Sequence, residues 1–242
     1  MRWIYISPHF DDAVLSCGGL IWEQTQAGIP VEIWTINAGD PPLETVSELI
    51  TRVHAMWKTG SPQETVRQRR IEDQNAAKQV GAKLIHFPMV DAIYRSSNLG
   101  DFFYKQDVFD PIHPKEIGIV EDVANLLKIN IVASDTIICP LALGRHVDHI
   151  IARKAVESIG CKIWYYADIP YLFRHVDELE PATSGMSAEI FSISDNGLLA
   201  WQKSIAAHNS QISSLFTDID DMRSKIQEYR NSGNGFSLWR QG

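Results

Sequence analysis

An imidazole and two adjacent carboxylates stand together in Ser7-Pro8-His9-Phe10-Asp11-Asp12. His9 and Asp12 are three apart and can reach a single point, and Asp11 can face the same cavity from another side. A later stretch, Gly144-Arg145-His146-Val147-Asp148-His149, offers the same residue types again. His9, Asp12 and one late histidine would supply three N/O ligands and leave a position for water, a catalytic rather than a structural zinc arrangement. Spacing alone does not separate His146 from His149, which lie at i and i+3 across a loop-to-helix junction. Asp148 most simply orients an imidazole. The bland alternative makes Asp12 a helix N-cap. A cap needs neither an imidazole nor a second carboxylate, and it can coexist with metal binding.

Such clusters need elements that end and begin where they stand. Residues 3–6 are apolar and β-prone, so they read as a buried strand. Residues 13–22 read as an apolar helix despite Gly18-Gly19. Residues 137–141 and 150–156 repeat the strand-then-helix order around the second cluster. Strand ends that feed helix starts in an open parallel sheet are where such folds place ligands. Between the clusters, strands at 31–36 and 84–87 alternate with helices at 46–57 and 63–80, the latter closed by Gly81. This alternation predicts βαβ units. Further on, the pattern predicts a helix over 115–128 and a strand over 162–166. That strand ends in the polar Ala167-Asp168-Ile169-Pro170-Tyr171. A strand over 189–193, helices over 198–215 and 219–229, and an irregular Gly-rich tail over 231–242 complete the chain. Residues 89–113 are irregular and hold Asp91, Tyr94, Arg95, Phe102, Phe103 and Tyr104. A long loop of this kind is usually functional or disordered, and its aromatics favour a substrate lid or rim. No repeat, low-complexity tract or linker interrupts residues 1–242, so a single α/β domain is expected.

The residues carry a family resemblance. Ser-Pro-His-Phe-Asp-Asp resembles the Pro-His-Pro-Asp-Asp motif of the LmbE-like, or PIG-L, zinc-dependent N-acetylglucosaminyl deacetylases. His146-Val147-Asp148-His149 resembles that family's His-Pro-Asp-His motif. Arg69-Arg70-Ile71-Glu72-Asp73, with Ala76-Ala77 and Gly81, resembles its helix after the second strand. Lys203 to Gln211 resembles its late Lys…Tyr-x-Ser-Gln helix. The likeness runs from residue 3 to about residue 216. Phe10, Ala13 and Val147 depart from the pattern, and none of them removes a ligand. The resemblance implies a Rossmann-like, three-layer domain with a mostly parallel sheet and a metal site at the C-terminal strand ends. It implies one Zn²⁺ per chain on His9, Asp12 and His149, with His146 as an acid not bound to the metal. It also implies that one of Arg69 and Arg70 contacts a sugar. The expected reaction removes an acetyl group from an N-acetylglucosamine-type or related N-acylated amine. Asp11 acts as general base, and His146, held by Asp148, stabilises the oxyanion or protonates the leaving amine. Asp91, Tyr94, Arg95, Asp168 and Tyr171 are further candidate substrate contacts. His54, His86, His113, His175 and His208 read as structural.

A hydrophobic share of 45% and a charged share of 21% suit a globular protein. The net charge of −8 argues against nucleic acid or an anionic membrane as the main partner. Cys17, Cys139 and Cys161 lie in apolar runs with no CxxC pair, which suggests free thiols in a reducing compartment. The sequence shows no leader pattern and no apolar run near the ~20 residues of a membrane span. The expectation is a cytoplasmic enzyme acting on a small-molecule or glycoconjugate substrate, with a homo-oligomer left open. Two other classes compete. A metallo-phosphoesterase usually needs two metals ~3.5–4 Å apart, and this chain offers ligands comfortably for one. A non-catalytic sugar- or nucleotide-binding module would need no metal, and the first loop lacks a G-x-G-x-x-G fingerprint.

Overall fold

Ile4-Tyr5-Ile6 and Ile137-Ile138-Cys139 are apolar at every position, which suits strands covered on both faces. In the computed structural model, which describes residues 1–43, 46–109, 111–232 and 236–242, they form the centre of a seven-stranded sheet. Ile4, Ile6, Ile137 and Cys139 face one core cluster, while Tyr5 and Ile138 face the other. That alternation is the two-residue period of a strand.

Strands β1 (Trp3–Ser7), β2 (Val31–Thr35), β3 (Lys83–His86), β4 (Thr136–Pro140) and β5 (Ile163–Tyr166) run parallel in the order β3-β2-β1-β4-β5. Strands β6 (Met186–Phe191) and β7 (Phe236–Gln241) extend the sheet beyond β5. There β7 lies between β5 and β6 and is antiparallel to both. Helices α1 (Asp12–Gln26) and α3 (Pro62–Val80) cover one face with α8 (Asp195–Ala206) and α10 (Ile219–Asn231). Helices α2 (Glu48–Trp57), α4 (Ile119–Lys128) and α5 (Val147–Ile159) pack on the other core cluster. Short helices α6 (Tyr171–Arg174), α7 (Leu179–Ala182) and α9 (Asn209–Leu215) complete the chain. The Gly18-Gly19 pair fits α1 because Trp201 of α8 lies directly on it. A Cβ at Gly18 would stand 2.6 Å from that indole ring.

Three elements differ from the sequence expectation. Residues 115–118 form turns, and α4 begins at Ile119, because Glu116 is drawn inward to Arg95 and Tyr104. The helix expected over 198–215 breaks at His208, whose φ of −84° and ψ of 55° are not helical. Beyond the break, Glu72 of α3 accepts the Ser210 N–H and starts α9 afresh. The tail expected to be irregular contains β7, because Phe236 and Leu238, two apart on one face of a strand, bury almost completely. Residues 233–235 of that tail lie outside the described residues, as does Asp110 of the 89–113 segment. The crossovers from β1 and from β4 leave in opposite directions. The crevice between these two strand ends is the topological switch point, the usual ligand site of such sheets.

Candidate metal centre

The turn after β1 and the turn after β4 bring the two clusters together. Asp11 stands at the N-cap position of α1, yet its side chain makes no capping bond. Ser7 Oγ takes the Ala13 N–H instead, which leaves both carboxylates to face the crevice. Asp12 accepts the His9 backbone N–H at 2.7 Å. Its two oxygens then lie 3.2 Å from His9 Nδ1 and 3.3 Å from His149 Nε2.

Each of these histidines is held from behind by another carboxylate. His149 Nδ1 meets Asp168 at 2.6 Å, and His9 Nε2 meets Asp148 at 3.1 Å. Each therefore turns its second nitrogen toward Asp12. His149 Nε2 is buried and has no hydrogen-bond partner, since Asp12 lies off line for one. This donor set fits a divalent ion. The edge of a tetrahedron with 2.0–2.1 Å bonds is about 3.3 Å, close to the two nitrogen-to-oxygen separations found, each to a different oxygen of Asp12. Carboxylates behind ligating histidines are the customary support of such ions. His146 gathers with the two histidines in a grouping that does not include Asp12: one ligand atom from each of His9, His146 and His149 lies within 4.8 Å of the others. Its Nδ1 accepts the Asp148 backbone N–H at 3.1 Å and so caps α5, which leaves Nε2 to carry the proton. A second grouping, His9 with Asp91 and Asp148, shares His9. Its Asp148 is already occupied by Arg95 and by the Ala92 N–H.

The charges follow this geometry. Burial works against an ionised Asp12, but His149 and His9 outweigh it and hold the carboxyl well below its usual range. Burial likewise opposes charge on His149, yet Asp12 and Asp168 push its pKa up to about 9. Burial opposes a charged His9 too, and Asp91, Asp12 and Asp148 raise it well above the ordinary value. His146 moves the other way, because burial and the neighbouring His9 both disfavour its cation. Asp148 is buried, but Arg95 and His9 hold it below the carboxylate range.

Arg69 of α3 settles which arginine faces the site. It is buried between the Trp57 ring, 4.6 Å away, and the Phe10 ring, 5.4 Å away. It reaches Asp11 at 3.4 Å and Asp91 at 3.9 Å. Arg70 instead binds Ala38 O and Asp40 on the outside. A cavity of about 340 Å³ opens from the centre. Its polar wall includes His9, Asp11, Asp12, Arg69, Asp91 and His146, and Tyr171 stands beside them. Its apolar wall includes Leu49, Val53, Met56 and Trp57 of α2, with Phe109 and Leu215.

Several candidate contacts prove to lie behind the cavity wall. Tyr94 is buried on His54, 2.7 Å away, because its hydroxyl needs a partner once covered. Arg95 is a buried cation neutralised by Glu116 and Asp148. Asp168 supports His149 and accepts the Leu143 N–H. With Arg70, these residues are absent from the cavity lining. Asp148 does hold an imidazole through its carboxylate, but that of His9 rather than His146. Of the aromatics in 89–113, Tyr104 is buried on Glu116 and Phe103 stacks on His113. Phe109 forms the rim instead, edge-on to His146 and Tyr171. The α2 stripe at 49, 53 and 56 was readable as an apolar helical face. Gln211 was visible only as part of its motif.

A family model described as GlcNAc-PI de-N-acetylase, PIG-L, matches residues 4–159. The 2'-N-acetylparomamine deacetylase of Niallia circulans is 28% identical over 196 residues, covering 73% of this chain and 70% of that protein. The 2'-N-acetylparomamine deacetylase of Streptomyces fradiae is 25% identical over 175 residues, covering 70% of this chain but only 57% of that protein. Among solved structures, the zinc-inhibited form of teicoplanin deacetylase shares the fold at a TM-score of 0.82. It is 23% identical, and the match covers 99% of this chain and 97% of that one. Among the described residues, no helix is long and apolar enough to cross a membrane.

Proposed function

The chain belongs to the PIG-L family, and on that footing we propose that it is a metal-dependent hydrolase removing the acetyl group from an N-acetylated amino sugar. The observation that carries this reading is the buried, unpartnered Nε2 of His149 facing Asp12, whose other oxygen meets His9. His9, Asp12 and His149 would hold the ion, taken here as zinc, although N/O ligands do not choose strongly among divalent metals. When bound, zinc supplies a water that ionises near neutral pH and a Lewis acid for the acyl oxygen. Asp11, beside the ligands and free of any capping bond, takes the water proton as general base. His146 presents Nε2–H to the developing oxyanion, and its Nδ1 is fixed by the Asp148 N–H. Arg69 lies across the Trp57 ring at the cavity wall, where it meets the sugar. The 2'-N-acetylparomamine deacetylases suggest the 2-acetamido sugar of an aminoglycoside as substrate.

Zinc content and acetate release from 2'-N-acetylparomamine test the reading on one preparation. About one zinc per chain is expected, with activity lost to a chelator and restored by metal. Asp12→Ala should lose zinc and activity together. Asp11→Asn should keep zinc and lose turnover by about 10²–10⁴-fold, the usual worth of general base catalysis. Acetate release that survives both chelator and Asp11→Asn would refute the mechanism.

A further inference from the structure

Running back from the cavity wall, and unused by the metal chemistry, Gln211, Ser210 and Glu72 are hydrogen-bonded in series. They join two motifs that lie far apart in sequence. Glu72 of α3 accepts the Ser210 backbone N–H at 3.1 Å and the Ser210 hydroxyl at 2.7 Å. Gln68 donates to the same carboxylate at 3.2 Å. Gln211 Nε2 meets Ser210 Oγ at 2.9 Å. All three residues of the series are buried, and Gln211 lines the cavity.

The direction of this relay is fixed by chemistry. A carboxylate only accepts, so the Ser210 hydroxyl must donate to Glu72. The serine oxygen can then only accept from Gln211, which must turn its NH₂ to Ser210. The amide cannot flip without setting two acceptors against each other. Its carbonyl oxygen, Oε1, accepts no hydrogen bond from the described residues. The backbone under it is equally fixed. Glu72 holds the start of α9, and Arg174 donates to Leu215 O at its end, 2.8 Å away. These charges suit the helix dipole at both ends.

We propose that Gln211 is a substrate-positioning residue whose Oε1 accepts a hydrogen bond from a ring hydroxyl of the amino sugar, with Ser210 and Glu72 holding the amide in that orientation. The proposal rests on the amino-sugar reading above and extends it to recognition of the ring. An acceptor built to meet a hydroxyl rejects an analogue that lacks it, because the buried group is then left unpaired.

Calorimetric binding of methyl N-acetylglucosaminide and its monodeoxy analogues decides the matter, with acetate release measured on the same samples. Wild-type protein should bind the parent about 5- to 10-fold more tightly than one of the deoxy analogues. Gln211→Leu should abolish that preference, leaving the binding of that analogue unchanged. Ser210→Ala, which loosens the amide but keeps it, should reduce the preference only in part and covers the case in which Gln211→Leu fails to fold. A merely structural role would weaken all the sugars equally. Equal weakening, no weakening, or no binding of the parent by wild-type protein overturns the proposal. If the preference appears and vanishes as described while no acetate is released, the deacetylase reading fails and the role of Gln211 stands.

Discussion

His149 divides its two nitrogens between two tasks. Nδ1 faces Asp168 at 2.6 Å, so Nε2 is left to look for a ligand. Burial opposes a proton there, but Asp12 and Asp168 hold the pKa up to about 9 in the metal-free protein. A metal must therefore displace that proton at pH 7. Apparent zinc affinity should climb at least tenfold per pH unit below about pH 9 through His149, more steeply where His9 must also lose its proton. Stability of the metal-free chain carries the opposite sign. A raised histidine pKa stabilises fully below the unfolded value of ~6.5 and is lost as pH rises through about 9. Melting curves at pH 6 and pH 9, with and without chelator, should show zinc stabilising far more at the higher pH. Asp168→Asn should cost about 10- to 100-fold in zinc affinity, the usual worth of an orienting carboxylate, and excess metal should restore activity. Unchanged affinity would detach Asp168 from the site. The ligand types were legible in the sequence because they stand at two strand ends. Of their orienting partners, Asp148 was legible, though it holds His9 rather than His146, and Asp168 was not. Asp168 joins from another strand end, and one helix step separates Arg69, facing Asp11, from Arg70, facing outward.

At the scale of elements, the loop from β4 to α5 carries the strain of the site. Ala142, Gly144 and Arg145 all take positive φ just before His146, and backbone strain of this kind gathers at functional loops. Gly144 has φ +71°, and a Cβ there would stand 2.4 Å from the Tyr171 ring. Gly160 provides a control, with φ +74° and nothing within 4 Å. Gly160→Ala should cost only the left-handed backbone term, about 1–2 kcal/mol, or roughly 2–8 °C in Tm for a chain of this size. Gly144→Ala should cost more and raise KM, because Tyr171 must move at the cavity wall. Equal Tm losses and unchanged KM in the two variants would show that Tyr171 is free to shift. The sequence placed a rim in 89–113 but assigned it to the wrong aromatics. Period and composition do not reveal that Tyr104 finds Glu116 while Phe109 stays in the open. The break before α9 was equally hidden, since the carboxylate that caps it comes from α3.

At the scale of the molecule, the chain divides its work along its length. His9, Asp12, Arg69 and His149 all precede residue 160, within the family match of 4–159. Tyr171, Arg174, Gln211 and Leu215, which close the cavity, come after it. The parallel half was legible because strands alternate with helices at regular spacing. The far half was not, because β7 enters the sheet between β5 and β6, an order that no local pattern encodes. Yet β7 is the joint between the halves. Phe236 and Leu238 are buried in the same cluster as Trp201, and Phe236 meets Trp201 and Tyr229 edge-on. Burial of two such side chains contributes about 3–6 kcal/mol, a large part of the 5–15 kcal/mol typical of a whole protein. A chain ended at Ser232 also leaves β6 without its only strand partner among the described residues. That truncation should lower Tm by more than about 10 °C or abolish the cooperative transition, read by circular dichroism. Phe236→Ala alone should cost about 3–5 kcal/mol. If the truncated chain melts within a few degrees of the full one, β7 is an accessory edge, and the parallel strands with their helices stand without it.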